Sequence, residues 1–358
     1  FTVYRHLRSD PDSLSNSTIY ALYQDRSGTL WIGTAMGLDS FDGGTARFTH
    51  YPAVAEAIAV IYEDTAGTLW IGTYGSGLFR YDRTTEQFIQ YLPDPADPHS
   101  LSDNTVMSIY EDDSGTLWLG TADGGLNAFG RATNNASGRG AFTHYRHDPA
   151  DPHSLSHDRV GAIYQDHSGV LWIGTGIDYE VEVGGLNTFD KTTGYASGGG
   201  TFSRYLYDPR DHHSLSNNHV RSIYEDQTGV LWIGTDDGLN VFDRTTNIFA
   251  SYHHDPLNPH SLSGDTITAI YEDRTGTLWF GTETGGINKY ARVKEKFARF
   301  QPDPLDPNSL SGSMIGALYE DHTGLLWIGV AGEGLDSLDR ATGNASERGA
   351  YTHYAHDP

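Results

Sequence analysis

The chain contains no cysteine in its 358 residues. That excludes disulfide bridges, thiolate metal sites and cysteine nucleophiles together. Basic residues are scarce, 23 Lys and Arg against 47 Asp and Glu, and the formal charge is −24. Such a surplus repels nucleic acid and anionic membrane surfaces, and it also serves plain solubility. No apolar run approaches the roughly 20 residues of a membrane-spanning helix, so no membrane insertion of this segment is expected. Tryptophan is rare as well, with seven in all. Where those seven stand is the most informative feature of the chain.

Every tryptophan lies in the same tetrapeptide, W-[ILF]-G-[TV], at Trp31, Trp70, Trp118, Trp172, Trp232, Trp279 and Trp327. The successive gaps are 39, 48, 54, 60, 47 and 48 residues. A period of about 40–50 residues, built from short strands and Gly-rich turns, is the pattern of a β-propeller with one repeat per blade. A lone blade cannot bury both of its faces, so the even repeat argues for one assembly rather than several domains. The expected fold is all-β: a seven-bladed β-propeller of four-stranded antiparallel blades, with residues 1–358 forming a single propeller. The start at Phe1 and the end at Pro358, inside a repeat, are expected of a piece of a longer chain.

The third repeat shows the plan. Thr105–Glu111 is β-branched and apolar, as a buried first strand requires. Asp112-Asp-Ser-Gly115 is a tight turn, followed by the strand Thr116–Thr121, a second turn at Ala122–Gly125 and the strand Leu126–Phe129. Phe142–Tyr145 makes the outer strand. The segment Asp148–Ser156 then leads into the next blade; its prolines fix φ and its Asp and Ser side chains can cap local donors. This linker recurs at 94–102, 208–216, 255–263 and 303–311 and, shortened, at 10–15. The second repeat lacks it, which accounts for the 39-residue gap.

These residues resemble the repeats of two-component regulator propellers, the sensory domains that precede many bacterial histidine kinases. The family pattern E-D-x-x-G-x-L-W-I-G-T, G-L-N-x-[FY]-D and F-x-x-Y stands here as Glu225–Thr235, Gly238–Asp243 and Phe249–Tyr252. The resemblance implies a seven-bladed, periplasmic or extracellular ligand-sensing module that acts on a downstream signalling domain or partner chain. The repeated residues are the scaffold, so the resemblance does not name a ligand. The S-x-D-x-G-x-x-W turn of sialidase-type propellers is matched only in part, since Arg26, Gln227 and His322 stand where that turn needs Asp.

Ligand residues are expected where the chain's own repeats differ. One step after the first β-branched residue of each first strand lie Tyr20, Ala59, Met107, Gly161, Arg221, Thr268 and Gly316. Arg159 and His219 stand just upstream of that position, giving with Arg221 a basic cluster on adjacent blades. Such a cluster suits a carboxylate or sulfate; the alternative is pairing with nearby acids such as Asp158 or Asp236. The turns between second and third strands add Tyr74, Asp123, Asp236, Asp237, Glu283 and Glu333. The candidate ligand-binding set is therefore Tyr20, Tyr74, Met107, Arg159, His219, Arg221, Asp236, Asp237 and Glu283. No cofactor is implied. The turn carboxylates raise Ca²⁺ or sugar hydroxyls as ligands, but their spacing matches no contiguous cation loop. His99, His153, His213 and His260 share one linker position on different blades and read as polar turn residues rather than a metal site.

Three functions compete. The first is a non-enzymatic sensor of a small molecule or oligosaccharide. The second is a structural or adhesive propeller that assembles with itself or with partners. Eight stretches qualify as outer strands for seven blades, and either Phe1–Tyr4 or Tyr351–Tyr354 is the spare through which self-association would run. The third is a lyase or hydrolase, for which His219 beside Arg221 and Glu283 is the only arrangement on offer. The sensor reading leads, and no enzyme activity is expected.

Overall fold

The computed structural model describes residues 2–43, 45, 47–130, 140–176, 184–191, 200–292, 296–306 and 308–339. These contain twenty-eight strands and no helix, arranged as seven antiparallel four-stranded sheets of a β-propeller. Blades one to seven follow the order of the tryptophans. Six blades use four consecutive strands; the seventh orders them Thr2–Tyr4, Gly334–Leu338, Leu326–Val330, Ile315–Glu320. The N-terminal strand thus supplies the fourth strand of blade seven, with Val3 opposite Asp336. Tyr351–Tyr354 lies outside the described residues, as do most of the loops 132–141 and 192–201, the insertion after Gly176, and all of loop 341–350.

Two compact units divide the chain, residues 62–251 and residues 1–61 with 252–358. In the 62–251 unit, hydrophobic clusters join neighbouring blades. Trp172, Leu186 and Leu215 pack with Val220, Leu231, Ile233, Phe242 and Phe249 of the next repeat. In the other unit, Trp279 and Ile287 of blade six pack against Ile315, Leu326 and Ile328 of blade seven, and Trp327 of blade seven packs against Ile19, Leu30, Ile32 and Phe41 of blade one. Trp172, Trp279 and Trp327 therefore belong to seams between two blades.

What fixes each tryptophan in place is an aspartate six residues upstream. In blade three, Asp112 Oδ1 accepts the turn N–H groups of Ser114 (2.9 Å) and Thr116 (3.1 Å), while Oδ2 accepts Trp118 Nε1–H at 2.6 Å. The same indole bond forms from Trp31, Trp70, Trp172, Trp232, Trp279 and Trp327 to Asp25, Asp64, Asp166, Asp226, Asp273 and Asp321, at 2.7–2.8 Å. The turn closes with Gly115 N–H on Asp112 O at 2.8 Å and a glycine φ of 77°, a conformation that a side chain would strain. Neighbouring blades are clasped through the same turn. The N–H of the residue after the aspartate donates to the Glu or Gln that ends the next blade's first strand: His167 to Glu225 at 2.6 Å, Asp113 to Gln165 at 2.8 Å, and His322 to Gln24 at 2.8 Å.

The glycine after each W-I answers a different need. A Cβ on Gly174 would lie 2.5 Å from Val220 Cγ1 and 2.9 Å from its Cβ, on the first strand of the next blade. Only a missing side chain lets the blades approach this closely. The linkers are rigid by local bonding: Asp148 Oδ1 accepts Ala150 N–H, Asp151 Oδ1 accepts His153 N–H (both 2.9 Å), and Ser154 Oγ accepts Asp148 N–H at 2.8 Å. The carbonyl of the linker residue at the histidine position receives the outer strand, as His153 O does from Phe202 N–H at 2.8 Å. The side chains of His99, His153, His213 and His260 are exposed.

Gly174→Ala is expected to destabilise the protein by about 1–3 kcal/mol through overpacking, read as a lower denaturation midpoint. Burial alone would raise the carboxyls of Asp112, Asp166, Asp226 and Asp321. Hydrogen bonds from the turn and the indole outweigh it, with Lys191 adding to the set on Asp112, and hold all four below the ordinary carboxylate value. Stabilisation from a lowered folded pKa is present above the unfolded value and is lost as pH falls through the folded one. The melting temperature should therefore drop steeply once pH falls below about 4, and a pH series of thermal melts reads this directly.

Candidate functional site

The first strands of six blades carry a local irregularity. Their pairing with the second strand slips by one residue, between Ile19 and Ala21, Val106 and Ser108, Val160 and Ala162, Val220 and Ser222, Ile267 and Ala269, and Ile315 and Ala317. The residues skipped are Tyr20, Met107, Gly161, Arg221, Thr268 and Gly316. A bulge leaves its extra residue out of the ladder and re-aims the side chain. This explains why repetition is given up there: the position is released from the sheet pattern that constrains its neighbours. The sequence marks the position by its variability but carries no direct signal of the bulge.

Tyr20, at 37% exposure, is the bulge residue of blade one, and Met107, half-buried, is that of blade three. Tyr74, at 43% exposure, follows the W-I-G-T of blade two and forms an isolated bridge with Thr105. Glu283 is half-buried, its N–H bonded to Thr266 O at 3.1 Å. Asp237 is exposed, its N–H on Thr235 Oγ1 at 3.2 Å.

Three of the expected residues meet in blade five. His219 Nδ1 lies 3.0 Å from Asp236 Oδ2, and Arg221 Nε–H donates to Asp236 Oδ1. The three side chains are only 14%, 15% and 20% exposed for His219, Arg221 and Asp236. Backbone bonds hold the frame, with Asn217 Oδ1 accepting His219 N–H at 2.7 Å and His219 O accepting Asp236 N–H at 3.2 Å. The carboxylate thus fixes the plane of the guanidinium and orients the imidazole.

Arg159 belongs to the preceding blade. Its nearest acid is Asp123, with Nη1 to Oδ1 4.0 Å, and not Asp158, whose Oδ1 accepts His147 N–H at 2.6 Å. The Asp123 side chain is 83% exposed, so the contact is a weak one. Arg159 Nε is buried with no hydrogen-bond partner. A buried donor without an acceptor costs about 1–3 kcal/mol, and an incoming oxygen would relieve it.

A seven-bladed β-propeller whose bulge residues and turns vary over a repeated scaffold is a platform for binding. Six stretches of the chain, residues 13–36, 55–75, 100–123, 154–176, 214–237 and 261–284, match the family described as two component regulator propeller. Each of these stretches is similar to that family's repeat; the repeat of blade seven is not among them. No curated protein matches the chain in sequence. Among solved structures, the chain is similar to the extracellular domain of a hybrid two component system of B. thetaiotaomicron, with 26% identity and a TM-score of 0.72. That match covers 94% of this chain and 41% of the other, so this chain spans under half the length of that relative. PorZ, a surface component of the type-IX secretion system of Porphyromonas gingivalis, aligns at 18% identity and a TM-score of 0.66 over 90% of this chain and 46% of its own. Virginiamycin B lyase of Staphylococcus aureus aligns at 14% identity and a TM-score of 0.61 over 90% and 95%. At these identities the last two share the fold.

Removing Asp236 alone would leave Arg221 and His219 together without their shared carboxylate. Asp236→Ala and Arg221→Ala are each expected to destabilise the protein, and the double variant by less than the sum, with a coupling of about 1–3 kcal/mol in a double-mutant cycle. Additive losses would show that the pair is not energetically joined.

Proposed function

We propose that this chain is the ligand-sensing propeller of a bacterial two-component-type regulator, a single propeller within a longer chain, working outside the cytoplasm and turning nothing over. The observation that carries this reading is the run of six two component regulator propeller repeats, supported by the similarity over 94% of the chain to an extracellular domain of a hybrid two component system. The ligand contacts the bulge residues and the turns beside them. The sector of Arg159, His219, Arg221 and Asp236 supplies its polar anchor, with Tyr20, Tyr74, Met107, Asp237 and Glu283 as further candidates on their own blades.

Two features support that placement. Bulges recur next to functional sites because they re-aim a side chain. In a chain of charge −24, two half-buried arginines and a histidine on neighbouring blades are the feature most suited to an acidic group, and Arg159 Nε lacks an acceptor. An oligosaccharide bearing a carboxylate or sulfate has the acidic group that these cations suit. Binding would be passed to a signalling domain or partner chain; no metal is required.

Thermal-shift screening of acidic and neutral oligosaccharides, followed by calorimetry, tests the reading, since a ligand that binds only the native state raises the melting temperature. An acidic saccharide should give a saturable shift, and Arg159→Ala should weaken binding at least about tenfold, or about 1.4 kcal/mol. Binding that is indifferent to Arg159→Ala and Arg221→Ala would remove this sector as the site. Turnover of the saccharide would overturn the sensor reading.

A further inference from the structure

Blades three to six carry a buried asparagine on the third strand, Asn127, Asn187, Asn240 or Asn288. In each, Oδ1 accepts the N–H of the last linker serine at 2.9–3.1 Å, and Nδ2 donates to that serine's Oγ at 2.7–2.8 Å. The other neighbours of Nδ2 are acceptors: Ile173 O at 3.2 Å from Asn187, Ile233 O at 3.4 Å from Asn240 and Phe280 O at 3.5 Å from Asn288. One side of this slot offers a donor and the other side only oxygens.

Blade seven places Asp336 in the same slot, fully buried and paired in register with Ile328. Its Oδ2 accepts Ser311 N–H at 2.8 Å, as the asparagine oxygen does elsewhere. Its Oδ1 has no hydrogen-bond partner, and neither has Ser311 Oγ. The hydroxyl is orphaned by a second substitution. In blades one, four and five the linker serine also meets the threonine of W-I-G-T, at 2.7 Å (Ser15–Thr34), 2.8 Å (Ser156–Thr175) and 2.9 Å (Ser216–Thr235); here that residue is Val330.

We propose that Asp336 stands in the folded protein as a neutral acid whose Oδ1–H replaces the asparagine amide as donor to Ser311 Oγ, forming a proton-dependent latch between the third strand of blade seven and the linker 303–311. A carboxylate in this slot would be a fully buried charge with the Ser311 N–H and, at most, the Ser311 hydroxyl as donors, and buried charge with so few donors is costly. Blade one gives an aspartate in this slot a side-chain partner. Asp39 fills the slot there, and His50 on the neighbouring fourth strand meets its Oδ1 at 2.6 Å. In blade seven the facing residue is Val3.

The charged side chain that reaches Asp336 is Arg5, which is already held by Glu333 at 2.7 Å. The facing residues of the paired strands, Val3 and Ile328, are apolar, and the linker's Asp303 and Asp306 cap their own turn. Burial pushes the Asp336 carboxyl up to about 6, against the opposing effects of Ser311 and Arg5. A folded pKa above the ordinary 3.8 gives stability that is complete below the unfolded value and is lost as pH rises through about 6. The same third strand holds Thr2–Tyr4, so ionisation loosens the strand that completes the blade.

The test uses the full chain and Asp336→Asn, which restores the residue of the other blades. The variant should melt several degrees above the parent at about pH 8 and close to it at about pH 5. An equal difference at both pH values would overturn the latch. Hydrogen exchange on the unmutated chain gives an independent reading. After correction for intrinsic rates, protection of residues 2–4 and 335–338 should fall between these pH values, while that of 287–291 and 296–300 in blade six, whose slot holds Asn288, stays the same. Unchanged protection at both places would also overturn it.

Discussion

The bond from each tryptophan indole to the aspartate six residues before it is the interaction on which the other features depend. The carboxylate stitches the first turn of the blade to itself with one oxygen and sets the largest side chain of the seam with the other. Neither half works alone. An indole N–H buried without an acceptor would cost what a lost buried hydrogen bond costs, and a turn without its carboxylate would leave backbone donors unmet. Because the turn also offers an N–H to the Glu or Gln of the next blade, one residue couples the inside of a blade to its neighbour.

With the scaffold satisfied in this way, the first strands can carry bulges. A bulge removes a residue from the ladder, and the surrounding sheet must supply the stability that is given up. Arg221 shows the use of that freedom. Released from the pairing pattern, it joins His219 and Asp236 in a cluster that no alternation of strand side chains would assemble. Blade seven shows the opposite case, in which the scaffold's own polar network is altered, at Val330 and Asp336, and a titratable group is left inside it.

The fold was legible because its determinants repeat. Seven tryptophans at a blade-length period, glycine-punctuated turns and five full-length linkers each give the same answer, and local signals that agree with one another are what specify a structure. The identity of the strand that completes blade seven was not legible, since Phe1–Tyr4 and Tyr351–Tyr354 have the same pattern and pairing is decided in three dimensions. The candidate site was legible as a position, through the variability at Tyr20, Met107 and Arg221. Its partners were not. Arg159 meets Asp123 across a blade boundary rather than its sequence neighbour Asp158, because a strand's end is closer to the adjacent blade's turn than to the next residue's side chain. The aspartate–tryptophan bond was present in the sequence as a constant spacing of six, but only geometry gives that spacing a role.

The linkers close their own turns, Asp to backbone and Ser to backbone, and are tied to the blade at few points: a carbonyl to the outer strand, the last serine to the third strand, and Arg204 or Arg299 in blades four and six. A segment that closes its own turns and has few anchors can be lost or lengthened with few changes in what it joins. The junction between blades one and two does without one, and Val54 O there accepts the N–H of Leu38. In evolutionary terms, the face that carries the linkers is the editable side of the molecule. New recognition surfaces can be written there repeat by repeat, while the aspartates and tryptophans copy the fold unchanged.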